Sequence, residues 1–333
     1  MPNPLKLLDK NFVSDYFSKK ITSPQYQKIN WQNIKITPYK KILDKNNPSK
    51  FYHFVIRYDV EGLSQPIFCT TNSKENREDA HRALNFINSK IKKQSITPIF
   101  YSEKFKALFY LGVDGENLQY YIKEHPSQIN PIIKETANWL AKLHQIKVSP
   151  KEHNFNPQNS KVETIVPGAD YYLERVENKA PDFLNDIKKL FIKINNFDKK
   201  NIKKNGHYLI HGDIHPENVI LNKETNKIAI IDYTDVCVAD FARDLANFSH
   251  QLDYMVNRFN PSLKEKLPEI QKTFLNSYLK KTGLKLSSDL KKRINCYMAW
   301  TSLRNAVFFL IKEFQETQEA KKMITKAYEY LNL

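Results

Sequence analysis

The sequence predicts a two-lobed α+β protein, with a small N-terminal lobe on a five-stranded antiparallel sheet and a larger, mainly helical C-terminal lobe. Three observations carry this. Runs of β-branched and aromatic residues alternate with polar breaks up to residue 113, helical apolar spacing dominates afterwards, and 333 residues exceed the usual size of one domain. The boundary is expected at Gly112, giving lobes of residues 1–112 and 113–333.

In chain order, residues 5–20 place Leu5, Leu8, Phe12 and Tyr16 at helical spacing and predict a leading helix. Residues 34–42, 51–60 and 66–71 read as a three-strand meander, divided by polar breaks at 44–50 and 61–65. Ala80, Ala83, Leu84 and Ile87 then mark a helix over 75–91, before two more strands at 99–100 and 108–113. Gly112 and Gly115 bracket the turn to the second lobe. Beyond it helices are expected at 132–146, 181–194, 241–259, 264–282, 287–314 and 318–330, with an exposed Pro- and Asn-rich loop over 147–170.

The composition, 41% hydrophobic and 26% charged, is that of an ordinary folded protein. A net charge of +16 invites a nucleic-acid or membrane reading, but the lysines are dispersed, so no specific nucleic acid and no membrane insertion are expected. Between His207 and His250 the balance reverses. Asp213, Glu217, Glu224, Asp232, Asp235, Asp240 and Asp244 face only Lys223, Lys227 and Arg243, and an acidic island in a basic chain marks a site. Cys69, Cys237 and Cys296 form no CxxC pair, which predicts buried thiols in a reducing compartment. With neither signal peptide nor transmembrane run read at the N-terminus, a cytoplasmic location is expected.

Within the island, apolar runs flank a polar turn, His211-Gly212-Asp213-Ile214-His215-Pro216-Glu217-Asn218, and a further apolar run, 228–231, ends abruptly in Asp232. Phosphoryl transfer asks a protein for a carboxylate that orients and deprotonates the attacking hydroxyl, and for oxygen ligands that hold Mg²⁺ on nucleotide phosphates. Asp213, Asn218 and Asp232 supply these, at the spacing of the H-R-D-x-x-x-x-N loop, with Asp232-Tyr233-Thr234 in the place of D-F-G.

This loop, Ile231-Asp232-Tyr233 and the stretch from Ala239 to Ala246 together resemble the aminoglycoside phosphotransferase and choline kinase family. The resemblance implies a protein-kinase-like fold and transfer of the γ-phosphate of ATP or GTP to a hydroxyl of a small molecule, with nucleotide in the cleft. It implies that Asp213 is the catalytic base, that Asn218 and Asp232 are the Mg²⁺ ligands, and that Asp244 braces the catalytic loop. His211 would pack beneath the loop, and the stretch from Leu140 to His144 would belong to a supporting helix. Residues 108–113 would form the strand and hinge for adenine, with Phe109 and Leu111 as cofactor-binding positions whose backbone reads the base edge.

The sequence departs from that pattern in two places. There is no glycine-rich loop, and the strand at 66–71 has no Lys to clamp the phosphates. Arg57 is the candidate substitute, the alternative being an ordinary exposed arginine, and its carboxylate partner would be Glu75 or Glu78. Asp235 and Glu217 are read as substrate contacts or solvated charges, Asp240 as a helix cap, and His144 and His215 as structural. Tyr297, Trp300, Phe308 and Phe309 are expected mostly in the core, and Glu313, Glu316 and Glu319 on a wet helix face. Two other readings stay open: a pseudokinase that holds nucleotide without transfer, and a basic nucleic-acid-binding protein. The acceptor, the choice between ATP and GTP, and the oligomeric state are not encoded legibly.

Overall fold

The computed structural model describes residues 3–44, 47, 50–75, 77–91, 96–149, 151–153, 155–165, 168–311 and 316–333. Contacts divide the chain into two compact units, Met1–Glu116 with Ile220–Thr234, and Asn117–Val219 with Asp235–Leu333.

The first unit is built on five strands, β1 (Ile34–Leu43), β2 (Tyr52–Val60), β3 (Ile67–Asn72), β4 (Thr97–Ser102) and β5 (Ala107–Leu111). All pairs are antiparallel, in the order β1-β2-β3-β5-β4. In β2 the period-two pattern is complete, with Tyr52, Phe54, Ile56, Tyr58 and Val60 buried and the residues between them turned to the other face. The lysine-rich β1 forms one edge, and its register shifts between Pro38 and Lys40, both of which discourage pairing with another chain.

The expected leading helix is two pieces, a 3₁₀ turn over Pro4–Leu8 and α1 (Lys10–Lys20). Asp9 is extended and its carboxylate accepts the Phe12 N–H at 2.7 Å, so it caps α1 where apolar periodicity alone would run through. From α1, Phe17 packs edge-on against Tyr58 at 5.1 Å and Phe109 at 5.7 Å and is wholly buried. Helix α2 (Glu78–Lys90) buries Ala80, Ala83, Leu84 and Ile87, the residues whose spacing predicts it.

The second unit holds most of the helices: α3 (Leu118–Glu124), α4 (Ile129–His144), α5 (Ala169–Lys179), α6 (Leu184–Asn205), α7 (Ala242–Phe259), α8 (Leu267–Thr282), α9 (Ser288–Ile311) and α10 (Thr317–Tyr330). Helices α3 and α5 have no counterpart in the sequence reading, and α6 runs on to Asn205 because Ile194, Asn195 and Asp198 are buried on its inner face. The predicted helix end at Phe314 lies outside the described residues. Among the described residues no helix is long and apolar enough to cross a membrane.

Short strands frame the polar turn. β7 (Tyr208–Ile210) precedes it and pairs with β10 (Cys237–Ala239), while β8 (Val219–Asn222) follows it and pairs with β6 (Gly115–Asn117) and β9 (Ile228–Ile230). The expected exposed loop at 147–170 is partly a structural insert, since Phe155, Asn159, Val162 and Ile165 are buried. Its residues 150, 154, 166 and 167 lie outside the described set, as do 45–46 and 48–49 between β1 and β2.

Candidate active site

The polar turn is held by α7. Asp244, fully buried on its first turn, accepts the main-chain N–H of His211 at 2.7 Å and of Gly212 at 2.9 Å, and the His144 Nε2 lies 3.0 Å from the same carboxylate. Burial pushes the Asp244 pKa up, but the bond and charge of His144 and the contribution of His211 outweigh it, and the carboxyl is held below its ordinary value. His144 ends α4, and its Nδ1 meets the Tyr278 hydroxyl of α8 at 2.9 Å, so three helices fix one carboxylate. His211 is buried edge-on to Trp139 of α4.

Gly212 has a φ of +85°, and a Cβ there would lie 2.2 Å from the Asp235 carbonyl oxygen, so only glycine fits. The bend presents Asp213 to a cavity of about 280 Å³ lined by Tyr172, His215, Glu217, Asn247, Arg304 and Phe308, among others. Asn247, one turn after Asp244 on the same face of α7, donates its amide to the Ile214 carbonyl at 2.9 Å and reaches Asp213 Oδ1 at 3.4 Å. The Asn218 amide nitrogen donates to the Asp213 carbonyl at 3.0 Å, a bond that does not engage Asn218 Oδ1.

His215 lies 3.9 Å from Asp213 Oδ2 and 3.7 Å from Glu217 Oε2, too far for hydrogen bonds. It and Glu217 line the cavity. Asp235 accepts from the Asn159 amide, and Arg243 donates to the Asn159 carbonyl at 2.6 Å, so the turn at 157–160 is tied through its buried Asn159 to Asp235 and α7. Asp240, expected as a helix cap, stands one residue before the N-cap position Phe241; it accepts the Ala242 N–H at 3.0 Å and forms a buried ion pair with Arg293 at 2.7 Å. Tyr297, Trp300 and Phe309 are buried, whereas Phe308 is half exposed. Glu316 and Glu319 pair with Arg258 and Lys322. Glu313 lies outside the described residues.

In the first unit, Asp232 has a φ of +61°, a conformation L-residues adopt at a cost, and its Oδ1 accepts the Thr234 hydroxyl at 2.6 Å. Arg77, just before α2 and nearly buried, places Nη1 3.9 Å from Asp232 Oδ1, donates to the Thr234 hydroxyl and pairs with Glu75 at 2.9 Å. Glu75, one of the two carboxylates expected to partner Arg57, therefore holds Arg77. Arg57 on β2 bonds instead to Asp59 at 2.8 Å and lies 3.4 Å from Asp114. The Asp59 bond is the main cause that raises its pKa further.

Phe109 and Leu111 do not present a base-reading edge. Phe109 pairs with Cys69 and Phe100, and Leu111 with Ile67 and Thr97, so β5 is flanked by strands on both sides and its main chain is committed to the sheet. The Phe109 ring is stacked on Phe100 at 4.4 Å inside the core. On the opposite face of the sheet stand His53, Arg57, Phe68 and Tyr110. Burial first, and the Asp232 carboxylate second, raise the Tyr110 pKa, while burial, then Lys40 and Arg77, push His53 down to about 4.

The chain matches the phosphotransferase enzyme family profile over residues 72–269, more than half its length. It belongs to that family. The fold agrees with solved structures. An ethanolamine kinase from Plasmodium vivax is similar with a TM-score of 0.65 at 15% identity, covering 96% of this chain and 89% of that one. A choline kinase from Cryptosporidium parvum Iowa II gives a TM-score of 0.66 at 14% identity, covering 97% and 96%. Spectinomycin phosphotransferase, solved with ADP and spectinomycin, gives 0.56 at 15%, covering 90% and 93%. No curated protein sequence matches the chain. This phosphotransferase is thus an enzyme with a kinase-like fold.

Proposed function

We propose that this phosphotransferase is an ATP- or GTP-dependent kinase that moves the γ-phosphate to a hydroxyl of a small molecule through Asp213. The observation that carries the reading is a carboxylate lining a cavity, on a loop two of whose amides are held by buried Asp244. A rigid base with room for an acceptor supplies the positioning on which phosphoryl transfer depends.

Asn218 and Asp232 are the proposed Mg²⁺ ligands, on their spacing in the sequence. Both offer oxygen, which suits this ion. Among the described residues no group of three or more His, Cys, Asp or Glu could hold a metal unaided. Water and nucleotide phosphate oxygens would complete the ion's coordination. Bound there, the ion would neutralise phosphate charge. Asp213 would orient the acceptor hydroxyl and take its proton, and Asn247 would fix the carboxylate's rotamer.

For the phosphate-holding cation, Arg77 is better supported than Arg57, because its guanidinium stands beside Asp232 whereas that of Arg57 is committed to Asp59. Recognition of the base falls to the segment after β5, around Val113. Nucleotide and small acceptor are the proposed partners, and a cytoplasmic setting suits both.

The test is ADP or GDP release over a panel of hydroxylated metabolites and antibiotics, with Mg²⁺ and each nucleotide, comparing Asp213→Asn with the parent protein. Loss of release with nucleotide binding retained is expected. Undiminished turnover in the variant would remove Asp213 from the mechanism, and nucleotide binding without turnover of any acceptor would favour the pseudokinase.

A further inference from the structure

The charge lining the Asp213 cavity bears on which acceptor enters it, an inference that rests on the reading of that cavity as the acceptor site. Arg304, on α9, places Nη1 4.0 Å from Asp213 Oδ1 with its side chain partly exposed. It projects from the same helical face as Thr301 and Phe308, which also line the cavity. A guanidinium keeps its charge at every physiological pH and carries five donors in a planar fork. The Asp213 contact is longer than a hydrogen bond and the Tyr172 hydroxyl takes up one donor, so the two together do not saturate that fork.

The arrangement is poorly explained as support for the base. At 4.0 Å the guanidinium makes no hydrogen bond to the carboxylate and does not orient it, a task that falls to the Asn247 amide. Nor does it suit a cationic acceptor. Tyr172 and Phe308 would offer ring faces to an ammonium group, but a permanent positive charge on the wall of the same cavity repels it. Glu217, the other carboxylate of the cavity besides Asp213, is turned toward His215 at 3.7 Å.

We infer that the acceptor carries an oxyanion, a carboxylate or a phosphate, close to the hydroxyl that is phosphorylated, and that Arg304 binds it. Two-point attachment, oxyanion to Arg304 and hydroxyl to Asp213, fixes a small flexible molecule with its oxygen at the base.

Matched pairs test this: glycerate and glycerol phosphate against glycerol, and serine against ethanolamine and choline. Binding is read by ligand-observed NMR and turnover by ADP release, in the full-length protein and in Arg304→Gln. The acidic member of a pair should bind and turn over in preference to its partner. Arg304→Gln should raise its KM about 10–100-fold, the range for a charged hydrogen bond, and leave the nucleotide KM unchanged. The carboxylate and phosphate arms identify which oxyanion is read.

Acids that bind the parent protein through Arg304 without consuming nucleotide would keep this inference and sink the kinase reading. Preferred turnover of glycerol, ethanolamine or choline would do the reverse. The inference also falls if none of the acids binds, or if Arg304→Gln lowers kcat equally for every acceptor, which would place the guanidinium on the transferring phosphate.

Discussion

The carboxylate of Asp244 accepts the Gly212 amide at 2.9 Å while the neighbouring His211 amide and the His144 ring share its other oxygen. One side chain thereby satisfies two consecutive amides of a turn that no ladder reaches. Asp244→Ala leaves these donors unpaired in a dry interior, at a cost of about 3–5 kcal/mol. The urea midpoint should fall accordingly, and turnover should drop further than stability alone explains. A variant with parent-like midpoint and turnover would show the loop to be held by other means.

Gly212→Ala tests the same loop without altering charge. Its positive φ and the close Asp235 carbonyl leave no place for a Cβ, so the turn must shift and carry Asp213 with it. The expected outcome is a loss of about 1–3 kcal/mol in stability and a fall in kcat of at least about 100-fold, because misplacement by one ångström already costs that much. An alanine variant that keeps its kcat would mean the loop geometry is not limiting.

Arg77 and Arg57 make opposite predictions. If Arg77 holds the phosphates, Arg77→Gln should raise the nucleotide KM about 10–100-fold, the loss of one charged hydrogen bond or two, while Arg57→Gln changes it little. Nucleotide titration by calorimetry separates the two. The reversed order would restore Arg57 as the clamp.

These residues show where the sequence is legible and where it is not. Asp213, Asn218 and Asp232 stand at fixed spacings in one segment, and the five strands and most helices follow periodicities that burial confirms, as in β2 and α2. What escapes such reading is contact between residues far apart in the chain. Asn247 could have been found, since it shares a helical face with Asp244. Arg77, Arg304 and Asn159 could not. Arg77 and Asn159 lie in polar sequence that looks like surface, Arg304 lies in an apolar helical run that reads as core, and their partners, Asp232, Asp235 and Asp213, are 155, 76 and 91 positions away. Strand β5 shows a different limit: its pattern identifies a strand, but only the sheet order reveals that both of its edges are covered.

A buried histidine away from the loop gives the stability a pH dependence. His250 of α7 is fully buried, and burial, helped by Lys326, pushes its imidazole down to about 3 from an ordinary 6.5. Between those values the unfolded chain binds a proton that the folded protein refuses, so stability is complete above pH 6.5 and is lost as the pH falls toward 3. The slope approaches about 1.4 kcal/mol per pH unit once the unfolded histidine is charged. His53, pushed down to about 4, adds a loss of the same sign. Urea midpoints at pH 7.5, 6.0 and 5.0 should fall with pH in the parent protein and fall less in His250→Gln, whose side chain takes up no proton in this range. An equal fall in both would assign the acid loss elsewhere, with His53 the first residue to replace.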